Sequence, residues 1–234
     1  MNSLQTYFPF GPPIGYAELP KEMINDLNKG CDDIIKNEEL TNSHALSSDH
    51  VGQVEQDFLI PTDILNKWGK WLGTQVQTYV SQYFNQLYVP EQNIISTDKN
   101  IALQKVNEIK INVLTAWYIR SFAGDYNPVH THMNCHLTCV GYLKVPDLSK
   151  ERKKHSPSSR AGSTRGVLEI MGTSGSNDTA FFETDRIGFV PKVGNWYLFP
   201  ANIRHSVYPF KCDGERRSFS INMNTNIFKG VSNK

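Results

Sequence analysis

Three histidines lie close together near the middle of the chain, in a segment that suits metal binding. His130, His132 and His136 follow a turn signal at residues 123–128 and precede an apolar run that ends at Val145. On an extended segment, side chains two residues apart project to the same side, so His130 and His132 are expected to point together. Two imidazoles on one side bind a transition metal when a third ligand comes from elsewhere in the fold. The segment therefore predicts a metal site that is incomplete by itself.

The candidate for the third ligand is His205, which follows a short apolar strand ending at Pro200. Sandwich and jelly-roll folds bring such distant positions together because neighbouring strands need not be consecutive in sequence. On the predicted last strand, Arg216 and Ser218 would face one side and Arg217 the other. A guanidinium and a hydroxyl on one face form a receptor for a carboxylate.

Residues 1–108 are predicted to form an N-terminal arm and supporting helices. Prolines interrupt residues 4–18, which favours an edge strand or an arm over a helix. A first helix is expected to open at Pro20 and to break at Gly30, because proline suits a first helical turn and glycine weakens a helix interior. Residues 41–53 are polar and are predicted to form a loop.

A second helix is predicted from Thr62, a candidate N-cap, because apolar residues recur with a period near 3.6 over about seven turns. From residue 109 onward, β-branched strands alternate with turn signals, which is typical of a sandwich or barrel of antiparallel strands. We therefore expect a mainly β protein with N-terminal helices packed on one sheet. It would form a single domain over residues 1–234 with its β core at 109–225.

Composition argues against several classes of protein. The 24 basic and 23 acidic residues give a net charge of +1, which predicts no footprint for nucleic acid or for an anionic membrane. No apolar run approaches the roughly 20 residues needed to cross a bilayer, and the N-terminal segment lacks a secretory pattern. Four cysteines without CxxC spacing are typical of free thiols in a reducing compartment. We expect a cytoplasmic protein whose edge strands permit a homodimer.

The order of these features resembles the iron(II)- and 2-oxoglutarate-dependent dioxygenase superfamily, in its prolyl-hydroxylase-like branch. That family has a His-x-Asp/Glu pair, a distant histidine and, further along, an arginine that is often part of Arg-x-Ser. At the matching places this chain has His130-Thr-His132, His205 and Arg216-Arg-Ser218. A tryptophan ahead of Gly-Asp-Tyr and His-x-His is similar to a branch found in phages and marine bacteria.

The resemblance implies a double-stranded β-helix, a jelly-roll variant, and a non-haem dioxygenase that hydroxylates a C–H bond using Fe(II), 2-oxoglutarate and O2. It implies that iron binds to His130, His132 and His205. It also implies that 2-oxoglutarate meets Arg216, Ser218 and Tyr142 on adjacent strands. Tyr118, on the strand before the site, is a further candidate to reach the cosubstrate, and packing in the core is its alternative role. His136 and Asn134 would support the metal site from nearby positions.

The chain departs from the family at one ligand, because His132 stands where a carboxylate is usual. Three neutral imidazoles bind divalent iron but suit zinc equally. Alternatively, the ligand pair could be His132-Met-Asn134 instead of His130-Thr-His132. The Asn134 amide would then stand where the carboxylate is usual, although amides are weak ligands for transition metals. Arg217 is the alternative anchor for 2-oxoglutarate if the strand register differs by one residue.

The substrate class is left open between a peptide or protein prolyl residue, which prolyl-hydroxylase likeness favours, and a small molecule. Residues 147–165 are basic, serine-rich and nearly devoid of apolar side chains, which predicts a loop that could close over substrate. Two alternative functions are a cupin-like metal protein without 2-oxoglutarate turnover and a metal-free jelly roll that binds sugar or peptide.

Overall fold

The structure of the chain is a computed structural model, and it describes residues 4–7, 13–46, 52–54, 56–87, 109–149, 151, 164–172 and 186–226. Its N-terminal part contains strands β1 (Gln5–Tyr7), β2 (Ile14–Glu18) and β3 (Gln56–Leu59) and helices α1 (Lys21–Ile35), α2 (Glu38–His44) and α3 (Thr62–Leu87). The later strands are β4 (Ile111–Ser121), β5 (Asn127–His130), β6 (Leu137–Lys144), β7 (Leu168–Met171), β8 (Arg186–Phe189), β9 (Asn195–Pro200), β10 (Arg204–Val207) and β11 (Arg216–Thr225).

Two antiparallel sheets and a helical layer make up this architecture. The larger sheet has the order β1-β2-β9-β6-β11-β4-β3, and the smaller sheet has the order β5-β10-β7-β8. β1 and β2 extend the larger sheet beside β9, and β3 extends it beside β4. The N-terminal region therefore contributes strands to the sheet as well as helices.

The larger sheet is buried on both faces. Apolar side chains of β11, including Phe219 and Ile221, pack with those of α1 and α3 in one core cluster. On the opposite face, Tyr142 and Phe199 pack with Leu168 of the smaller sheet in a second cluster. The mainly β architecture with helices on one sheet confirms the expected arrangement.

The first helix does not break at Gly30, contrary to the prediction. α1 continues to Ile35. Gly30 is buried, and a Cβ atom there would collide with Ile64 and lie 2.8 Å from the Tyr118 hydroxyl. The glycine therefore permits close packing of α1 on α3 and β4 instead of ending the helix.

A short helix, α2, occupies part of the segment for which a loop was predicted. Asn37 caps it, because its Oδ1 accepts hydrogen bonds from the backbone N–H groups of Glu39 at 2.9 Å and Leu40 at 3.2 Å. Most of residues 147–165, the candidate lid, lies outside the described residues.

The sequence also made predictions about the cysteines and about membrane-spanning segments. All four cysteines are free thiols. Within the described part of the chain, none of the helices has the length and apolar character required to span a membrane.

Candidate metal centre and cavity

Two strands of the smaller sheet place the first and last histidines of the predicted triad opposite each other. His130 on β5 pairs directly with His205 on β10, and His132 follows where its N–H donates to the Ala201 carbonyl at 2.9 Å. Potential ligand atoms of the three side chains lie within 4.8 Å of one another. Nε2 of His132 lies 3.3 Å from Nε2 of His205. Nitrogens on one ion at about 2.0–2.1 Å are about 3 Å apart, so this spacing fits a shared metal.

Backbone carbonyls fix the orientation of two of these rings. Nδ1–H of His130 donates to the Pro128 carbonyl at 2.7 Å, and Nδ1–H of His205 donates to the Ile203 carbonyl at 2.9 Å. These bonds assign the ring proton to Nδ1 and leave Nε2 as the unprotonated nitrogen, which is the usual arrangement of a metal-ligating histidine.

The third ligand candidate is held neutral by its surroundings. Burial, aided by the positive charge that His130 can carry, lowers the pKa of His205 to about 3. A metal ligand must be the neutral imidazole, so His205 meets this requirement at physiological pH. Phe199 packs edge-on at 5.0 Å from the His205 ring, and Trp117 lies 6.0 Å from the His132 ring, which limits water around the triad.

The triad opens into a cavity of about 310 Å³ between the two sheets. Its polar lining comes mostly from alternate residues of the larger sheet, namely Arg216, Ser218, Ser220 and Asn222 on β11, Thr115 and Ser121 on β4, and Thr138 and Tyr142 on β6. Among the described residues, no aspartate, glutamate or lysine lines the cavity, and Arg216 is its one permanent cation.

Arg216 marks one end of the cavity and is only 3% exposed. Its Nη1 makes two long hydrogen bonds, to the carbonyls of Tyr208 at 3.3 Å and Gly166 at 3.4 Å, and its guanidinium lies over the Phe210 ring. Burial lowers the pKa of Arg216, but a guanidinium stays charged in proteins. No carboxylate in the described part of the chain forms an ion pair with it.

Two buried hydroxyls accompany this guanidinium. Tyr142 pairs with Ser218 in the sheet, and Ser121 pairs with Arg216. Tyr142 Oη and Ser121 Oγ have no hydrogen-bond partner among the described residues. Burial raises the pKa of Tyr142, so its hydroxyl remains a donor. A buried cation and two unsatisfied hydroxyls are costly by themselves, so this end fits an anion such as a carboxylate.

Arg217 is not the residue that faces the cavity. It points towards α1, where it binds Asp32 at 2.8 Å and donates to the Asn28 carbonyl at 3.1 Å. It also binds Glu215, which precedes β11, at 2.8 Å. The pleat of β11 thus assigns Arg216 and Ser218 to the cavity and Arg217 to the helical layer.

Of the two roles considered for Tyr118, contact with 2-oxoglutarate and packing in the core, the structure agrees with packing in the core. Tyr118 is fully buried against α1 and α3, where its hydroxyl faces Gly30. Its neighbours Trp117 and Ile119 line the cavity instead. Sequence reasoning missed Ser121, although its even spacing from Trp117 and Ile119 places it on the same face.

The two residues expected to support the metal lie away from the cavity lining. His136 joins the end of β11, where its N–H donates to the Met223 carbonyl and its Nδ1 accepts from the N–H of Thr225, both at 3.0 Å. Asn134 is exposed in a turn with φ 61°. The register in which Asn134 replaces the carboxylate ligand is therefore not the one adopted.

Comparisons with known proteins agree with this geometry. A family model described as "Putative 2OG-Fe(II) oxygenase" matches residues 115–222. A prolyl-4-hydroxylase from Pseudomonas putida has a TM-score of 0.52 and 11% identity, over 90% of this chain and 91% of that one. SnoK, a non-haem α-ketoglutarate-dependent carbocyclase of nogalamycin biosynthesis, has a TM-score of 0.51 and 10% identity, over 90% of this chain and 78% of that one. Among curated proteins, none matches the chain.

The fold shared with these structures is the double-stranded β-helix, as expected, and in this chain it carries a histidine cluster that could hold a metal ion. Residues 115–222, just under half of the chain, match the family of iron(II)- and 2-oxoglutarate-dependent oxygenases, so this part of the chain is similar to oxidoreductases of that kind. The match to this family implies Fe(II) as the metal and 2-oxoglutarate and O2 as co-substrates. The histidine cluster fits a divalent metal ion, and the buried Arg216 guanidinium with its neighbouring hydroxyls fits a carboxylate such as that of 2-oxoglutarate.

Proposed function

We propose that the protein hydroxylates a C–H bond in a peptide or protein, with a prolyl residue as the preferred target. Iron is held by His130, His132 and His205, and the far carboxylate of 2-oxoglutarate binds Arg216. The observation that carries the cosubstrate assignment is the buried Arg216 guanidinium, which lacks a carboxylate partner among the described residues and lies beside unsatisfied hydroxyls.

Each residue has a defined task in this proposal. Arg216 receives a carboxylate in the bidentate geometry that a guanidinium favours, and the hydroxyls of Tyr142 and Ser218 donate to the same oxygens. The unprotonated Nε2 atoms of the triad hold the ion. When bound, iron and 2-oxoglutarate supply the oxidising chemistry that activates O2.

The mouth of the cavity supports a polypeptide substrate. Tyr126, Val129 and Met133 are apolar yet 42%, 51% and 82% exposed, and they flank the two metal-binding histidines. β5, which carries His130, is one of the two outer strands of the smaller sheet in the described part of the chain. An exposed apolar rim beside an outer strand suits an extended peptide. The fold shared with the Pseudomonas putida prolyl-4-hydroxylase favours proline as the residue presented.

The cosubstrate assignment is tested by anaerobic titration of 2-oxoglutarate into iron-loaded protein, followed by the charge-transfer absorption of a chelated 2-oxo acid. We expect the Arg216→Gln variant to bind at least about tenfold more weakly, because a buried charged pair is lost. The matched control is Arg204→Gln, because Arg204 is exposed beside His205 but lies outside the cavity lining. If Arg216→Gln and Arg204→Gln bind 2-oxoglutarate with equal affinity, Arg216 does not bind the cosubstrate.

The substrate class is tested with proline-containing peptides under turnover conditions. Mass spectrometry should show the gain of one oxygen on proline, accompanied by release of succinate. Succinate release without oxidation of the peptide would support 2-oxoglutarate turnover and contradict a peptide substrate. Absence of both 2-oxoglutarate binding and succinate release would overturn the proposal as a whole.

A further inference from the structure

The cavity has a second polar group at the end remote from Arg216. Asn222 on β11 pairs with Thr115 on β4 and with Thr138 on β6, and all three side chains line the cavity. Six residues of an extended strand separate Asn222 from Arg216, which corresponds to roughly 20 Å. The two polar ends are therefore separate binding positions.

The metal centre lies between these two ends. Trp117, whose ring is 6.0 Å from that of His132, pairs with Ser220 on β11. Asn222 is the next residue on the same face of the strand, on the side away from Arg216. A molecule that contacts Asn222 would thus approach the metal from the side opposite the cosubstrate carboxylate.

A buried hydrogen bond orients the amide of Asn222. The Thr138 hydroxyl donates to Asn222 Oδ1 at 2.9 Å, and Thr138 is only 1% exposed. This bond assigns the oxygen of the amide to Thr138 and turns the NH2 group towards the cavity. Asn222 Nδ2 donates to no acceptor in the described part of the chain, so a donor is presented at the cavity wall.

The charge of the cavity restricts what this donor can meet. Apart from the histidine triad and Arg216, the described lining residues are uncharged. Burial of an unpaired charged group at the Asn222 end would carry a large desolvation cost. An uncharged group with a carbonyl acceptor satisfies the amide donor without that cost.

We propose that Asn222 determines substrate specificity by donating a hydrogen bond to an uncharged amide carbonyl of the substrate. Thr138 is the positioning residue that orients it. This inference rests on the proposed function, since it assigns the substrate side of the same site. A peptide bond next to the oxidised residue is the chemical class that fits.

The test uses full-length protein loaded with Zn²⁺ and 2-oxoglutarate, so that binding is measured without turnover. The probes are N-acetylprolinamide, which is neutral, and N-acetylproline, which carries a carboxylate; dissociation constants come from NMR titration. We expect wild type to prefer the amide by at least about tenfold, and Asn222→Leu to lose about tenfold in amide affinity. Asn112→Leu makes the same change at an exposed position outside the cavity and should match wild type.

Two further sets of variants separate recognition from folding. Asn222→Asp keeps the acceptor for Thr138 but removes the donor, so it should lose amide affinity even if Asn222→Leu folds poorly. Thr138→Val should weaken amide binding, and Thr138→Ser, which retains the hydroxyl, should restore it. Affinity for 2-oxoglutarate should be unchanged in all of these variants.

The outcomes distinguish this inference from the proposed function. Wild type that binds no 2-oxoglutarate contradicts the proposed function itself. Wild type that binds 2-oxoglutarate but not the amide, or that prefers the acid, overturns the role of Asn222. That role is also overturned if Asn222→Asp binds the amide normally, or if its 2-oxoglutarate affinity falls as in Arg216→Gln.

Discussion

His132 sets the charge of the candidate metal centre. It stands where the family usually has a carboxylate, and the described cavity lining supplies no other acidic side chain. A centre of three neutral imidazoles leaves the full charge of a divalent ion uncompensated by protein ligands. Bound anions, including 2-oxoglutarate, must then provide the balancing negative charge.

A carboxylate at position 132 should increase metal affinity. We expect His132→Asp to bind Fe²⁺ at least about tenfold more tightly, because the added negative charge attracts the cation in a partly buried site. Anaerobic titration against a competing chelator measures the change. His136→Asp alters a histidine outside the cavity lining and serves as the control. Weaker binding by His132→Asp would show that a third imidazole is required.

Asp57 should make the stability of the fold depend on pH. Burial raises the pKa of the Asp57 carboxyl to about 7. The folded state thus favours the protonated form, so the contribution of Asp57 to stability is fully present below pH about 4 and is lost as pH rises through 7. Asp57→Asn, which cannot ionise, should match wild type at pH 4 and exceed its free energy of unfolding by roughly 4 kcal/mol at pH 8.

Urea unfolding at several pH values measures this difference. The matched control is Asp213→Asn at an exposed position, which should show no such divergence with pH. A constant offset between Asp57→Asn and wild type from pH 4 to pH 8 would contradict the role assigned to ionisation.

At the scale of secondary-structure elements, the two faces of β11 have different roles, because one lines the cavity and the other packs in the core. One face supplies Arg216 and Asn222 to the cavity, and the other supplies Phe219 and Ile221 to the core against the helices. Arg217 supports this arrangement, because its ion pair with Asp32 links the strand to α1. The pleat therefore separates two neighbouring arginines into different functions.

The packing of α1 should tolerate no side chain at Gly30. A Cβ atom there meets Ile64 and Tyr118, so Gly30→Ala should lower the free energy of unfolding by roughly 1–3 kcal/mol despite the better helix propensity of alanine. Gly69→Ala is the matched control in α3, where a Cβ atom meets nothing within 4 Å. The free energy of unfolding of that variant should rise by up to about 1 kcal/mol. Denaturant unfolding of both variants measures whether one is destabilised and the other stabilised. Equal gains would contradict the close contact.

At the scale of the whole molecule, the proposed ligands connect the two sheets. His130 and His205 belong to the smaller sheet, whereas Arg216 belongs to the larger one. A metal with bound 2-oxoglutarate would join them, and any ligand that binds only the folded state stabilises it.

Metal and 2-oxoglutarate should therefore raise the melting temperature in two steps. At a concentration of 100 times its dissociation constant, each ligand should add about 2.7 kcal/mol, and a chelator should reverse the gain. Thermal unfolding with Zn²⁺ alone and with Zn²⁺ plus 2-oxoglutarate measures the steps. In Arg216→Gln only the metal step should remain. If Zn²⁺ no longer raises the melting temperature of Arg216→Gln, Arg216 is needed to position the three histidines.

The sequence alone was enough to predict much of the architecture and which residues of β11 share a face. The spacing of His130 and His132, the alternation of Arg216 and Ser218, and the period of α3 follow from strand and helix geometry, which is local. These regularities correctly predicted a β protein with helices on one sheet and the side of β11 that faces the cavity.

Only the tertiary structure decided which face of each buried strand meets the cavity. β4 is covered on both sides, so apolar and aromatic residues occupy both faces and no polarity pattern distinguishes Tyr118 from Trp117. The continuation of α1 through Gly30 likewise depends on a contact with Ile64 and Tyr118 that is remote in sequence. Periodicity fixes which residues share a face, whereas long-range packing fixes where that face points.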